Sequence, residues 1–207
     1  MESLLEEEAL QNESLSEAVR PSFIKFFGSS DDIAQRFWTT LSAVQRAGNH
    51  AVCAFPAGRR PRQIEEGALI FMSRLVGGPK DIMIYGRAIA RRHEDGVDDA
   101  SEDDLRVREW RRRFPHYIRV HSAEFMGGTL AQGVSLNELM DVLSVEAFES
   151  TMRNWAAGRG NTDPRRSIGP QPAVQLTPRA SAWINARLQQ RFRTLGKLSA
   201  ADLADVW

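Results

Sequence analysis

The run Ser22-Phe23-Ile24-Lys25-Phe26-Phe27, opened by Pro21 and closed by Gly28, constrains the fold more than any other stretch of this chain. Four of its six residues are large and apolar, and a short run of that kind between two backbone-breaking residues predicts a buried strand. Behind it, Ser29 or Ser30 is suited to cap a helix whose first turn carries Asp31 and Asp32, where the helix dipole favours negative charge. Ile33, Phe37, Leu41 and Val44 recur at helical spacing, so a helix is expected from there to about Gly48.

Three further strands are expected at Ala51 to Phe55, Ala68 to Val76 and Ile82 to Arg91, the last two forming an antiparallel hairpin across Gly77-Gly78-Pro79. Gly86 interrupts the last of them, which signals a bulge or the close approach of another backbone or a ligand. A short helix over Asp104 to Arg113 precedes a strand that starts at His116 and extends through Phe125 to Gly127. Helices dominate the remainder. Ser135 with Glu138 makes a capping box, Ser144 is placed to cap a helix carrying Phe148, Met152 and Trp155, and a polar loop runs from Gly158 to about Gln175. Thr177-Pro178 then opens a helix with Ile184, Leu188 and Phe192 on its buried stripe, and a terminal helix is expected from Ser199.

The pattern predicts an α+β domain: a small, partly closed, mainly antiparallel β-barrel with flanking helices. A helical arm is assigned to residues 1–20, the domain to 21–194 and a helical tail to 195–207. The acidic start MESLLEEEALQNE has no basic region and no continuous apolar run, so neither a signal peptide nor a membrane span is expected, and no membrane partner. The lone Cys53 excludes an intrachain disulfide framework and suits a reducing cytoplasm; its apolar surroundings mark it as a core residue.

Catalytic and metal chemistry find little support in the spacing. The seven acidic side chains of residues 94–104 lack the full calcium-loop pattern and are expected as a solvated acidic loop. None of the four histidines stands in a His-x3-His or His-Glu-x2-His arrangement, and His116 and His121 fall on opposite faces of one strand. Neither a nucleophile elbow nor a phosphate loop is present. No enzyme activity, cofactor or metal is therefore expected.

The order of several short motifs carries a resemblance. Phe23-Ile24-Lys25, Ser29/Ser30, Asp31-Asp32-Ile33, Leu69-Ile70-Phe71-Met72, Ile84-Tyr85-Gly86-Arg87-Ala88, then Trp110 and Tyr117-Ile118-Arg119-Val120, resemble the succession in YTH and EVE domains of the PUA-like barrels. Val134 to Leu139, Arg166-Ser167-Ile168 and Leu176-Thr177-Pro178 are similar to the closing half of EVE domains, so the likeness spans roughly residues 21–187. It implies a barrel pocket that accepts a flipped or single-stranded base of DNA or RNA, often a modified one. The chain departs from the pattern at Val52, where YTH domains carry a cage tryptophan, at Ala68 after Gly67, and at Ser73, so the pocket is expected to be rebuilt.

The balance of 27 basic and 27 acidic side chains provides no global field, so nucleic acid must meet a local patch. Arg106, Arg108, Arg111, Arg112, Arg113 and Arg119, interleaved with Trp110, Phe114 and Tyr117, form the best local candidate. The alternative is that these rings are core anchors and the arginines neutralise the acidic loop. Arg59, Arg60 and Arg62, with Arg165 and Arg166, extend a positive surface only if folding brings the loops together. The expected contacts are Lys25, Ser29, Arg74, Trp110, Arg111, Tyr117 and Arg166. Two other readings stay open: a protein-interaction or scaffold domain that dimerises through its terminal helices, and a small-ligand-binding domain.

Overall fold

The computed structural model describes residues 20–30, 44–47, 50–76, 81–107, 109–159 and 173–198. The N-terminal arm, the stretch from Asp31 to Ala43, the Gly77-Gly78-Pro79 turn, Arg166 and the terminal helix expected from Ser199 lie outside the described residues.

The apolar run after Pro21 forms β1 (Ser22–Ser30), and Ser22, Phe23, Ile24 and Lys25 are all buried. Such a strand is covered on both faces, which is why its apolar residues are adjacent instead of alternating. It pairs in parallel with β4 (Leu69–Val76) and antiparallel with β8 (Ala173–Leu176). Between them in sequence are β2 (Val44–Ala47) and β3 (His50–Phe55), followed by β5 (Asp81–Ala90), β6 (His116–Phe125) and the two-residue β7 (Val134–Ser135). The sheet order is β2-β3-β6-β5-β4-β1-β8, with β7 added to β5.

Among the described residues only the β1–β4 pair is parallel; every other pair is antiparallel. The sheet curls into a half-barrel but does not close, because β2 and β8 end the ladder at opposite sides. Five helices complete the α+β architecture among the described residues: α1 (Glu102–Val107), α2 (Glu109–Arg113), α3 (Leu136–Leu143), α4 (Glu149–Ala156) and α5 (Pro178–Leu195). None is long and apolar enough to cross a membrane. Ile184, Leu188 and Phe192 of α5 and Leu136, Leu139 and Leu143 of α3 join Phe23, Ile70, Phe71, Ile84 and Phe125 in one core. Fully burying an apolar side chain of this size contributes roughly 1.5–3 kcal/mol relative to exposure.

Several expectations need correction. Ser29 and Ser30 continue β1, pairing with Leu75 and Val76, and Val44 to Ala47 form a strand, so no helix extends to Gly48. A hairpin partner, β3, claims those residues through a register that sets Val44 opposite Cys53. The polar loop gives way at Ala173 to β8, whose apolar residues seal the other edge of β1. Ser144 has a positive φ of 44° and stands at the C-terminal end of α3; Phe148 occupies the N-cap position of α4 without a side-chain cap. Phe148 is buried as expected, whereas Met152 and Trp155 face solvent.

Other local signals hold. Ser135 Oγ accepts from the Glu138 N–H at 3.1 Å, and Thr177 Oγ1 accepts from the Ala180 N–H at 3.3 Å. At Gly86 both expected devices occur together. Met72 pairs with Gly86 and Ser73 with Ile84, leaving Tyr85 as the extra residue of a bulge. A Cβ at Gly86 would lie 2.5 Å from Phe125 Cδ1 and 2.8 Å from the Glu124 carbonyl.

Candidate nucleic-acid interface

A phosphate-binding surface needs cations that reach solvent, and several residues with the expected chemistry do not. Lys25 is 3% exposed; its Nζ donates to the Phe26 carbonyl at 3.0 Å and stands 4.6 Å and 4.8 Å from the ring centroids of Phe27 and Phe55. Burial brings its pKa down to about 8, the neighbouring Cys53 acting in the opposite sense. Burial also pushes the Cys53 thiol up to about 12, in keeping with a structural core cysteine. Arg74 is half-buried on β4, and Ser29 takes part in the sheet through its backbone. Trp110 belongs to α2.

Arg111 and Tyr117 are brought together, in a structural role. Arg111 is 2% exposed and its guanidinium lies 4.7 Å from the centroid of the Tyr117 ring, fastening α2 against β6. Tyr117 Oη donates to the Val97 carbonyl at 3.0 Å, tying the acidic loop to the same strand. The arginines around this loop neutralise it. Arg119 pairs with Glu94 at 2.5 Å and with the buried Asp98 at 3.1 Å, Arg106 with Asp103 at 3.2 Å, Arg62 with Asp95 at 2.6 Å and Arg60 with Asp99 at 3.1 Å. The Glu94 contact foremost holds Arg119 above its ordinary pKa. At Asp95 the Arg62 hydrogen bond lowers the carboxyl below its usual range. Burial opposes ionisation of Asp99, but the Gly96 N–H, the His116 hydrogen bond and the charge of Arg60 outweigh it and lower that carboxyl too.

An arginine-bearing concavity does form, at the β1–β8 end of the sheet. A groove of about 420 Å³ is lined by Phe23, Ala173 and Val174 at its base and by Gly58, Arg59, Arg60, Gln63, Ser150, Arg153 and Gln175 around it. The pairing of Phe23 with Gln175 and Ile24 with Val174 creates the apolar base. The loop that presents Arg59 and Arg60 is anchored by buried Pro61 and Ile64, by Arg59 N–H to the Pro56 carbonyl at 3.0 Å, and by Ala57 N–H to the Arg113 carbonyl at 3.1 Å. Gly58 permits its tight turn with φ +76°. Arg59, Arg60 and Arg153 are exposed.

The loop arginine Arg59 thus shares a groove with Arg153, while Arg60 lines the same groove and also binds Asp99 of the acidic loop. Ser150, Arg153 and Gln175 carried no signal in the sequence, since an exposed arginine on a short helix is indistinguishable from a solvating one until the sheet pairing is known. A second concavity of about 410 Å³ along Arg20, Arg87, Ser122 and Glu124 is internally compensated: Arg87 pairs with Glu124 at 2.6 Å, and Lys197 also binds Glu124. The groove at Arg59, Arg60 and Arg153 combines an apolar base with exposed arginines, of which Arg60 is shared with Asp99. Comparison with protein-family profiles, curated proteins and solved structures found no match for this chain.

Proposed function

We propose that this chain is a non-enzymatic nucleic-acid-binding module that takes a single-stranded or flipped nucleotide into the groove between the Arg59–Arg60 loop, β8 and α4. The observation that carries the reading is the pairing of an apolar base, Phe23, Ala173 and Val174, with the exposed arginines Arg59 and Arg153; Arg60 also lines the groove, with its guanidinium held by Asp99. Arginine gives phosphate both charge and bidentate donors, an apolar slot accepts the face of a base, and Gln63, Gln175 and Ser150 supply donors and acceptors for its edge. The groove falls in the size range of small-molecule sites, roughly 300–1,000 Å³.

The curled, mostly antiparallel sheet and the order of motifs along the chain support placing this module among PUA-like domains, with a rebuilt pocket. The test is fluorescence anisotropy with short single- and double-stranded DNA and RNA, with and without modified bases, at low and moderate salt. Single strands are expected to bind in a salt-sensitive manner, and the Arg59→Glu, Arg153→Glu double variant to weaken binding for every sequence. Each phosphate that a variant no longer neutralises should reduce the slope of log K against log salt by about 0.7 for single strands. Absence of binding to all of these probes at low salt would sink the reading.

A further inference from the structure

The acidic loop encloses a feature that the nucleic-acid reading does not use. His93 is buried, its side chain wholly so, and its Nδ1 stands 2.7 Å from the Tyr117 carbonyl. A carbonyl only accepts, so Nδ1 carries the proton and the neutral ring presents its lone pair from Nε2. That atom makes no hydrogen bond, although it faces Asp95 Oδ1 at 3.3 Å and Asp99 Oδ1 at 3.4 Å. A buried lone pair aimed at two carboxylate oxygens is satisfied by a cation between them. His116 completes the cluster: its Nδ1 lies 2.6 Å from Asp99 Oδ1, and the ligand atoms of His93, Asp99 and His116 are all within 4.8 Å of one another.

We propose that His93 Nε2, His116 Nδ1 and Asp99 Oδ1, with Asp95 Oδ1 as the fourth ligand, form a zinc-class divalent metal site that ties the 93–99 turn to β6. Two imidazoles with carboxylate oxygen select a first-row transition ion such as Zn(II) over the hard cations calcium and magnesium. Four ligand atoms about 2.0–2.1 Å from a tetrahedral ion lie roughly 3.3–3.4 Å apart. The two His93 separations already match that spacing. His116 Nδ1 has to withdraw from its hydrogen bond to Asp99 by less than ~1 Å and give up its proton, and Asp95, which stands near His93 but outside the cluster of the other three, has to draw in as the ion binds.

Three of the four ligands also have an orienting contact behind them. His93 has the Tyr117 carbonyl, Asp99 Oδ2 has Arg60 at 3.1 Å and the Gly96 N–H at 2.9 Å, and Asp95 Oδ2 has Arg62 at 2.6 Å. Such supports fix ring tautomer and carboxylate direction. Asp95, half exposed, marks the side from which an ion enters. The competing occupant is a proton on His93 Nε2, which would make an imidazolium between the two carboxylates and leave the protein indifferent to metal. The site stands on its own geometry and does not depend on nucleic-acid binding.

The experiment uses full-length protein freed of metal by chelator dialysis, with Co(II) as the spectroscopic probe and Zn(II) as the ion for thermal denaturation. Visible d–d bands of four-coordinate Co(II), no thiolate charge-transfer band, displacement by one equivalent of Zn(II) and a Zn(II)-dependent rise in Tm support the proposal. His116→Gln is expected to abolish the bands and Asp95→Ala to weaken Zn(II) binding at least ~10-fold. If His116→Gln does not fold, Asp95→Ala alone decides. The proposal is overturned if the bands are absent and Tm is unmoved by Zn(II), if a thiolate band places the metal at Cys53, or if both variants bind as wild type.

Discussion

At the scale of single residues, two positions translate directly into measurable energetics. Lys25 has a folded-state pKa of about 8 against an ordinary value of 10.5. Between those values the unfolded chain binds more protons than the native one, so stability rises with pH. Cys53 acts in the other direction: its thiol, at about 12 instead of 9.0, keeps a proton that the unfolded chain loses, and stability falls above about pH 9. The rise is therefore visible mainly between about pH 8 and pH 9, where Lys25 contributes about 1 kcal/mol and Cys53 offsets a part of it. Urea midpoints across this window should climb for the wild type and not for Lys25→Met; a flat wild-type profile would show that Lys25 does not titrate in the fold as described. At Gly86 a methyl group would meet Phe125 Cδ1 and the Glu124 carbonyl, one side chain and one backbone atom. Gly86→Ala is expected to cost ~1–3 kcal/mol in urea denaturation, and a neutral result would mean that the bulge relaxes. The glycine was legible as an interruption of an apolar strand, since a missing side chain in a packed sheet always needs a reason. The burial of Lys25 was not legible, because a lone cation in an apolar run suits a solvent-facing edge as well as an enclosed pocket between Phe27 and Phe55.

Elements differ in how far local chemistry decides them. The start of α5 is written in its own residues: Thr177 caps, Pro178 begins the first turn, and Thr177 Oγ1 also donates to the Glu146 carbonyl at 2.6 Å. Thr177→Ala should lower stability by about 1–2 kcal/mol, read from a lower urea midpoint, because both the cap and the tie to the preceding turn disappear. The hairpin of β4 and β5 was equally plain from two apolar runs and a short Gly-Pro turn. By contrast, Val44 fits the helical spacing of Ile33, Phe37 and Leu41 and yet lies in β2, where pairing with Cys53 outweighs periodicity. Met152 and Trp155 follow Phe148 at helical spacing, but α4 has only Phe148 and Thr151 turned into the core and leaves Trp155 outside. Trp155→Ala is thus expected to leave both the urea midpoint and single-strand binding in the groove unchanged, because the ring is exposed and lies off the groove lining. A large drop in stability with unchanged binding would assign the ring to packing instead.

For the whole molecule, the 27 basic and 27 acidic side chains balance, and several arginines nearest the acidic loop are held in ion pairs with it. Arg59 and Arg153 are exposed in a groove assembled from the loop after β3, from β8 and from α4. The chain's own local chemistry determined β1, β3, β4, β5 and β6, the caps at Ser135 and Thr177, its α+β class and the interruption at Gly86. Apolar runs, cap residues and glycines act on their immediate neighbours, so their consequences can be derived one stretch at a time. The long-range pairings decided the rest. Whether the sheet closes depends on which strands are left at its edges, and Arg153 meets Arg59 and Arg60 because β8 returns to pair with β1. His93 meets His116 across the bridge between Asp99 and His116, a juxtaposition that spacing along one strand or helix does not encode. Contacts of that kind follow from sheet register, which the chain reaches only once the entire core has condensed around it.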